Sequence, residues 1–327
     1  MCYLYLNNGQ LVTQYGEIIK SAGLQILNRT SKIKLRKGND WINYKPQIVN
    51  QKCKNSVKPG EIISLFYDKP IETMLIILSP AKTMDMNPVA NAPAGTKPQF
   101  QNDAEFIASK MQEYSRDQLQ ILLQISNKLT DINYERYRDF GLNTTPAKPA
   151  LLAYTGNVFQ HINPSTFTDK DFRYAQDHLR IISTLYGLVK PLDLIKAYRI
   201  AFKIKLKGIK EKDLYEYWLP KLTAPLIEAT QKSGNILINL ASLDVLGALD
   251  MKILNEKVRV ITPEFKELRN GKYETIRTYA KMARGEMTRY ILLNRIEEPE
   301  KIKQFEWDDF RFNTKLSDNT NYIFVKS

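Results

Sequence analysis

The chain has 327 residues, with 48 Lys and Arg against 35 Asp and Glu, a formal net charge of +13 and a pI near 9.4. At 43% hydrophobic and 25% charged residues it has a globular make-up, which excludes collagenous, mucin-like and disordered chains. No run reaches the roughly 18 apolar residues of a membrane-spanning helix, and the first twenty residues include Glu17 but no apolar signal-peptide core. The sequence therefore predicts a cytoplasmic protein without membrane contact.

Two cysteines, Cys2 and Cys53, define neither a disulfide framework nor a thiolate metal cluster. Up to Thr73 there are 11 Lys and Arg against 5 Asp and Glu, and the remaining 254 residues carry 37 against 30. Both parts are basic, which favours polyanionic partners through phosphate contacts and counterion release. The alternative reading of the same charge is a soluble protein from a Lys-rich proteome.

An organisational break falls near residue 73. Before it, short apolar runs at Tyr3–Leu6, Ile33–Leu35 and Ile62–Tyr67 alternate with Gly, Asn and Lys and show no long helical period. Residues 1–73 form an accessory extension or an upstream stretch outside the compact domain, which begins at Met74. Met74–Leu78 is a buried strand leading into Ser79-Pro80-Ala81-Lys82-Thr83, and Pro88–Phe100, with three prolines, is a loop. Asp103–Phe140 predicts two or three amphipathic helices striped by Leu119, Leu122, Leu123, Ile125 and Leu129. Ala150–Tyr154 suits a short strand and Gly156-Asn157 a turn. Thr168 caps a helix from Asp169 to about Arg180, with Asp171 placed for a capping box. Asp213–Thr230 is helical, interrupted or bent at Pro220 and Pro225. Asn235–Leu240, Lys257–Thr262 and Lys272–Thr278 are strands, a helix then runs to about Asn294, and Tyr322–Val325 is a last strand. This order predicts an α/β or mixed α+β domain.

Small-molecule catalytic motifs are scarce. His161 and His178 are the only histidines, and no HExxH, GxSxG, P-loop or GxGxxG pattern is present. No catalytic residue, metal site or cofactor follows from the sequence. Cationic patterns are better defined. In Leu185–Leu194 a glycine turn at Gly187 is followed by Lys190-Pro191, where the proline can open a helix whose N–H groups face a phosphate oxygen. Lys203, Lys205 and Lys207 alternate with Ile204 and Leu206, as a strand with one lysine face would. Arg277, Lys281, Arg284 and Thr288 share one helix face, opposite Ala280, Ala283, Met287, Tyr290 and Ile291. Gly285 in that helix either permits close backbone approach or is tolerated by packing.

Several ordered motifs together resemble the YaaA peroxide-stress family. They are Ser79–Thr83 after its strand, His178-Leu179-Arg180 leading to Leu185-Tyr186-Gly187 and Pro191–Leu194, and Asp213-Leu214-Tyr215 with Trp218. Asn239-Leu240-Ala241-Ser242 and Tyr279–Gly285 complete the set, and the likeness runs from Met74 to the end. It implies one compact domain, 74–327, of unusual topology, with a basic cleft and a helix-hairpin-helix-like element at Leu185–Leu194. It also implies DNA binding, limitation of free iron and protection from hydrogen peroxide. Leu243-Asp244-Val245 departs from the acidic-plus-aromatic cluster of relatives, which weakens an active-site role for that loop.

The expected phosphate-binding residues are Lys82, Arg180, Lys190, Arg199, Lys281 and Arg284, with backbone donors from the Gly187 turn. Their partner is duplex or distorted duplex DNA, bound with weak sequence preference. A second expectation is an enzyme acting on a nucleotide or small phosphorylated metabolite, with Ser79, Lys82, Asn239, Ser242 and Lys281 converging in a pocket. A third is a protein-interaction scaffold whose basic surface is incidental.

Overall fold

The computed structural model describes residues 73–89 and 92–326, together with strands at 4–7, 10–13, 33–37 and 40–44. The apolar run at Ile62–Tyr67 and both cysteines lie outside the described residues. The chain divides into two units, Met1–Ile71 and Glu72–Ser327. In the first, β1 (Leu4–Asn7) pairs antiparallel with β2 (Gln10–Thr13), and β3 (Ile33–Lys37) with β4 (Asp40–Tyr44).

The second unit is a single mixed α/β domain. It opens with β5 (Met74–Leu78), five apolar residues all fully buried, as a strand covered on both faces requires. After the proline-rich loop come α1 (Gln101–Gln112), α2 (Arg116–Leu123) and α3 (Asn127–Arg138). Ser115 and Gln118 close a capping box at the start of α2. Next are β6 (Ala147–Pro149), α4 (Ala150–Ala153) and α5 (Asn157–Ile162). The expected strand at Ala150–Tyr154 is thus mostly helical. Four apolar residues without β-branching carry no period that separates strand from helix, and Ala and Leu are strong helix formers.

Thr168 and Asp171 form the expected capping box on α6 (Asp169–His178). This helix stops two residues short of Arg180, because the chain from Leu179 pairs with β5 as β7 (Leu179–Ser183), with β-branched Ile181 and Ile182 at its centre. β8 (Gly187–Val189) returns antiparallel to β7, and β9 (Leu194–Lys196) pairs with β6. α7 (Leu214–Lys232) runs unbroken through Pro220 and Pro225, capped by the Asp213 carboxylate on the Glu216 N–H. β10 (Ile236–Asn239), α8 (Leu243–Leu246), α9 (Met251–Lys257), β11 (Arg259–Arg269) and β12 (Lys272–Glu274) follow. The domain closes with α10 (Arg277–Leu293), α11 (Pro299–Ile302), β13 (Arg311–Phe312) and β14 (Asn321–Lys326).

Eight strands form the main sheet, in the order β13-β14-β11-β10-β5-β7-β8 with β12 paired to the far end of β11. β7, β5, β10, β11 and β14 are parallel, and β8 and β13 add antiparallel edges. Numbered by appearance, the parallel strands stand 2-1-3-4-5, an order found in doubly wound α/β sheets. α6 packs on β5 and β7 and against α10, while α7 packs on β5 and β10 and against α9. Two helical layers therefore sandwich the sheet.

The helix-hairpin-helix-like element is not what Leu185–Leu194 forms. Ser183 Oγ accepts the N–H groups of Leu185 and Tyr186, at 3.2 and 2.9 Å, and Gly187 takes φ +65°. The chain thereby reverses into β8 as a β-hairpin. At Lys190-Pro191 the Asp193 carboxylate accepts the Lys190 N–H at 2.8 Å, closing a turn instead of opening a helix. The lysine run at Lys203–Lys207 is irregular rather than a strand, although its alternation holds: Ile204 and Leu206 are buried and the three lysines exposed.

Candidate functional site at the carboxyl ends of the parallel strands

β5 and β10 lie side by side, with Ile77 opposite Asn239. Their carboxyl ends therefore release the Ser79–Thr83 and Leu240–Ser242 segments next to each other. The Leu240 N–H donates to the Ile77 carbonyl at 3.1 Å, so pairing continues one residue beyond β10. The Ser242 N–H then donates to Ser79 Oγ at 2.8 Å, and the two hydroxyl oxygens are hydrogen-bonded at 2.9 Å. Asn239 holds the shape of this edge: its Oδ1 accepts the Ala241 N–H at 3.2 Å, and its amide donates to Thr262 Oγ1 on β11 at 3.3 Å. The structure thus brings Ser79, Asn239 and Ser242 together.

The segment after Ser79 is fastened in place. Thr83 O accepts the Thr155 N–H at 3.1 Å, and Ala153 O accepts the Asp85 N–H at 2.9 Å. Buried Lys148 donates to the Asp85 carbonyl at 3.0 Å and lies 3.4 Å from its carboxylate. Asp85 is held below the usual carboxylate range, first by the Asn87 N–H and then by the Lys148 charge. Lys82, between these anchors, is exposed.

The cationic residues are placed unequally. Lys190 and Lys281 are exposed, and Arg199 is half-exposed, with its carbonyl accepting the Tyr137 hydroxyl at 2.8 Å. Arg180 is 8% exposed, and its Nη1 donates to the Gln176 and Leu179 carbonyls at 2.8 and 2.7 Å. Much of its hydrogen-bonding capacity is therefore spent inside the fold. Burial pulls its pKa down, against the opposing fields of Asp193 and Asp177. Gly187 is buried as well, and a Cβ there would lie 2.7 Å from Trp218. The N–H groups of the turn before it point to Ser183, so the backbone donors expected for a phosphate are already used.

The helix α10 changes character along its length. Arg277 and Lys281 are exposed, Arg284 is half-buried, and Thr288 is fully buried with its hydroxyl on the Arg284 carbonyl. Arg284 Nε is the one buried side-chain nitrogen or oxygen among the described residues without a hydrogen-bond partner. Burial lowers its pKa, and Glu264 acts in the opposite direction. At Gly285 a Cβ would stand 2.3 Å from the Val158 carbonyl of α5, so this glycine is a requirement of the α5–α10 crossing. The same crossing carries a His161–Glu286 hydrogen bond of 2.9 Å, with Trp307 edge-on to the imidazole.

Sequence reasoning missed Arg136. Burial and the nearby Arg199 charge both lower its pKa, with only Tyr137 opposing. Two guanidiniums from α3 and the segment after β9 thus stand close enough to repel, a pairing no local spacing announces. A hollow of 520 Å³ lies elsewhere, between α1 and the loop after α3, lined by Gln101, Glu105, Ser109, Gln112 and Lys196 among others. None of the sequence-predicted residues lines it, and the Lys196 ammonium is bonded to the Phe140 and Leu142 carbonyls. Among the described residues no three His, Cys, Asp or Glu side chains gather as a metal ion would need, and no helix is long and apolar enough to cross a membrane.

Residues 74–316 match the family described as peroxide stress protein YaaA. The chain belongs to that family. Membership links this YaaA-family chain to the oxidative-stress response. A UPF0246 protein of Bacteroides thetaiotaomicron is 46% identical over 252 residues, covering 77% of this chain and 98% of the relative. One from Parabacteroides distasonis is 44% identical over 253 residues, 77% of this chain and all of the relative. A more distant one, from Saccharophagus degradans, is 38% identical over 256 residues, with 77% and 99% covered.

Proposed function

We propose that this YaaA-family chain binds DNA phosphates during peroxide stress, limiting DNA damage and the reach of free iron. The observation that carries the reading is unneutralised charge. Lys82, Lys190, Arg199, Lys281 and the three lysines at 203, 205 and 207 enter none of the ion pairs among the described residues. Lys110, Arg116, Arg138, Lys221 and Arg295, by contrast, are each matched to a carboxylate. The Arg199 charge that helps lower the Arg136 pKa is a like-charge influence that an anion would relieve. Free cations of this kind serve phosphate contacts that position a duplex without reading bases.

The test is fluorescence anisotropy of the full chain on duplex, bubbled and single-stranded DNA across salt concentrations. Binding falls steeply with salt, and each lost phosphate contact flattens the slope by roughly 0.9. Replacing Lys82, Lys190 and Lys281 together by Ala is expected to flatten it by about 2.7. Wild-type affinity and slope in that triple variant would overturn the assignment.

A further inference from the structure

In an open parallel sheet, ligands approach the crevice outside the carboxyl ends of the strands where the strand order reverses, because the chains leaving those two strands diverge. In this sheet the reversal lies between β5 and β10. β5 has β7, the next parallel strand in the chain, on one side; β10 lies on its other side and is followed outward by β11 and β14. The two loops at that point are the ones joined by Ser79 and Ser242.

We propose that this crevice binds the phosphoryl group of a small phosphorylated metabolite, through the Ser79–Ser242 hydroxyl pair and the Lys82 ammonium. The site shares Lys82 with the DNA reading but does not rest on that reading. Hydrogen-bond accounting supplies the first argument. Ser79 Oγ accepts the Ser242 N–H, and the two hydroxyls share one further bond. Whichever serine donates in that bond, the other keeps a hydroxyl hydrogen with no partner among the described residues. Both side chains are half-buried, so this donor is open to a ligand at the mouth of the crevice.

Charge supplies the second argument. Lys82 is exposed three residues beyond Ser79 and enters no ion pair among the described residues. On the neighbouring strand β11 the Glu264 carboxylate is 3.0 Å from Lys266 Nζ. An ammonium carried on the same loop as a hydroxyl donor suits a phosphoryl group, whereas a planar carboxylate is matched best by the fork of an arginine. Because Thr83 and Asp85 are tied to Ala153, Thr155 and Lys148, the loop holds its form before a ligand arrives.

The experiment is calorimetric titration of the full chain with ribose 5-phosphate, inorganic phosphate and acetate, at constant ionic strength in chloride. Saturable binding of ribose 5-phosphate, with a raised melting temperature, is expected, and acetate gives neither. Lys82→Ala and Ser242→Ala each weaken binding roughly tenfold. Lys252→Ala, on the exposed side of α9, leaves it unchanged. Should Ser242→Ala fail to fold, the exposed Lys82 carries the test alone, with unliganded melting curves certifying its fold. The proposal fails if ribose 5-phosphate does not saturate, if acetate binds as well, or if Lys82→Ala retains wild-type affinity. Binding of inorganic phosphate without the ester would overturn the metabolite as the ligand.

Discussion

Ser79 and Ser183 stand at the carboxyl ends of two neighbouring parallel strands, yet their surroundings are opposite. Ser183, the last residue of β7, is fully buried; its oxygen accepts two N–H groups and is bonded to the Tyr198 hydroxyl at 2.7 Å. Tyr198 continues to the Tyr154 hydroxyl at 2.8 Å. Ser79, just past β5, bonds only across the gap to Ser242 and stays half-exposed. The difference arises from what the chain does next. After β7 it doubles back through Gly187 and plugs the strand end, whereas after β5 and β10 it runs out into two loops. A strand end sealed by a hairpin stabilises the fold, and one left between diverging loops keeps a donor to spare.

The sealed end breaks most severely at its glycine. Gly187→Val places a β-branched residue at φ +65° and a carbon against Trp218, so a loss of about 4 kcal/mol is expected from denaturant unfolding. At the crossing beneath α10, Gly285→Ala drives a methyl group into the Val158 carbonyl and is expected to cost about 3 kcal/mol by the same measurement. Tyr198→Phe leaves the Ser183 and Tyr154 hydroxyls short of a buried partner, for a loss of about 2 kcal/mol.

That tyrosine also sharpens the comparison through pH. Burial pushes the Tyr198 phenol up to about 12, so folding favours its neutral form. Its contribution is complete below the ordinary value near 10 and is lost as pH rises from there through about 12. Unfolding curves between pH 9 and 12 should therefore fall less steeply for Tyr198→Phe than for the native chain. The smallest effect belongs to the open end. Ser242→Ala removes one exposed-edge bond and is expected to cost under about 1 kcal/mol of stability, measured by thermal unfolding. A loss as large as that of Tyr198→Phe would show that the two ends do not differ.

Much of this architecture is written in local sequence. The all-apolar Met74–Leu78, the Thr168–Asp171 box and the helical character of Asp103–Phe140, read as two or three helices, follow from period and capping. The lysine alternation at 203–207 likewise predicts which side chains face water. Other features are set by partners far away. The glycine turn at Gly187 suits a helical corner as well as a hairpin, and only the pairing of Leu188 and Val189 with β7 decides between them. α7 runs on through Pro220, which is exposed, and Pro225, which is half-exposed, at the cost of two helical N–H donors, held by its packing on β5 and β10. The orphaned Nε of Arg284 and the Arg136–Arg199 neighbours depend on burial and on elements distant in the chain, which spacing along one helix does not encode.

The Ser79–Ser242 bridge joins residues 163 positions apart. At a ribosomal pace of roughly 5–20 residues per second, the second serine emerges about 8–30 seconds after the first. A nascent chain therefore carries half a crevice for about half of its synthesis, and a ligand held by both serines discriminates finished molecules from growing ones. Occupancy would then stabilise only the completed domain, by mass action on the native state alone.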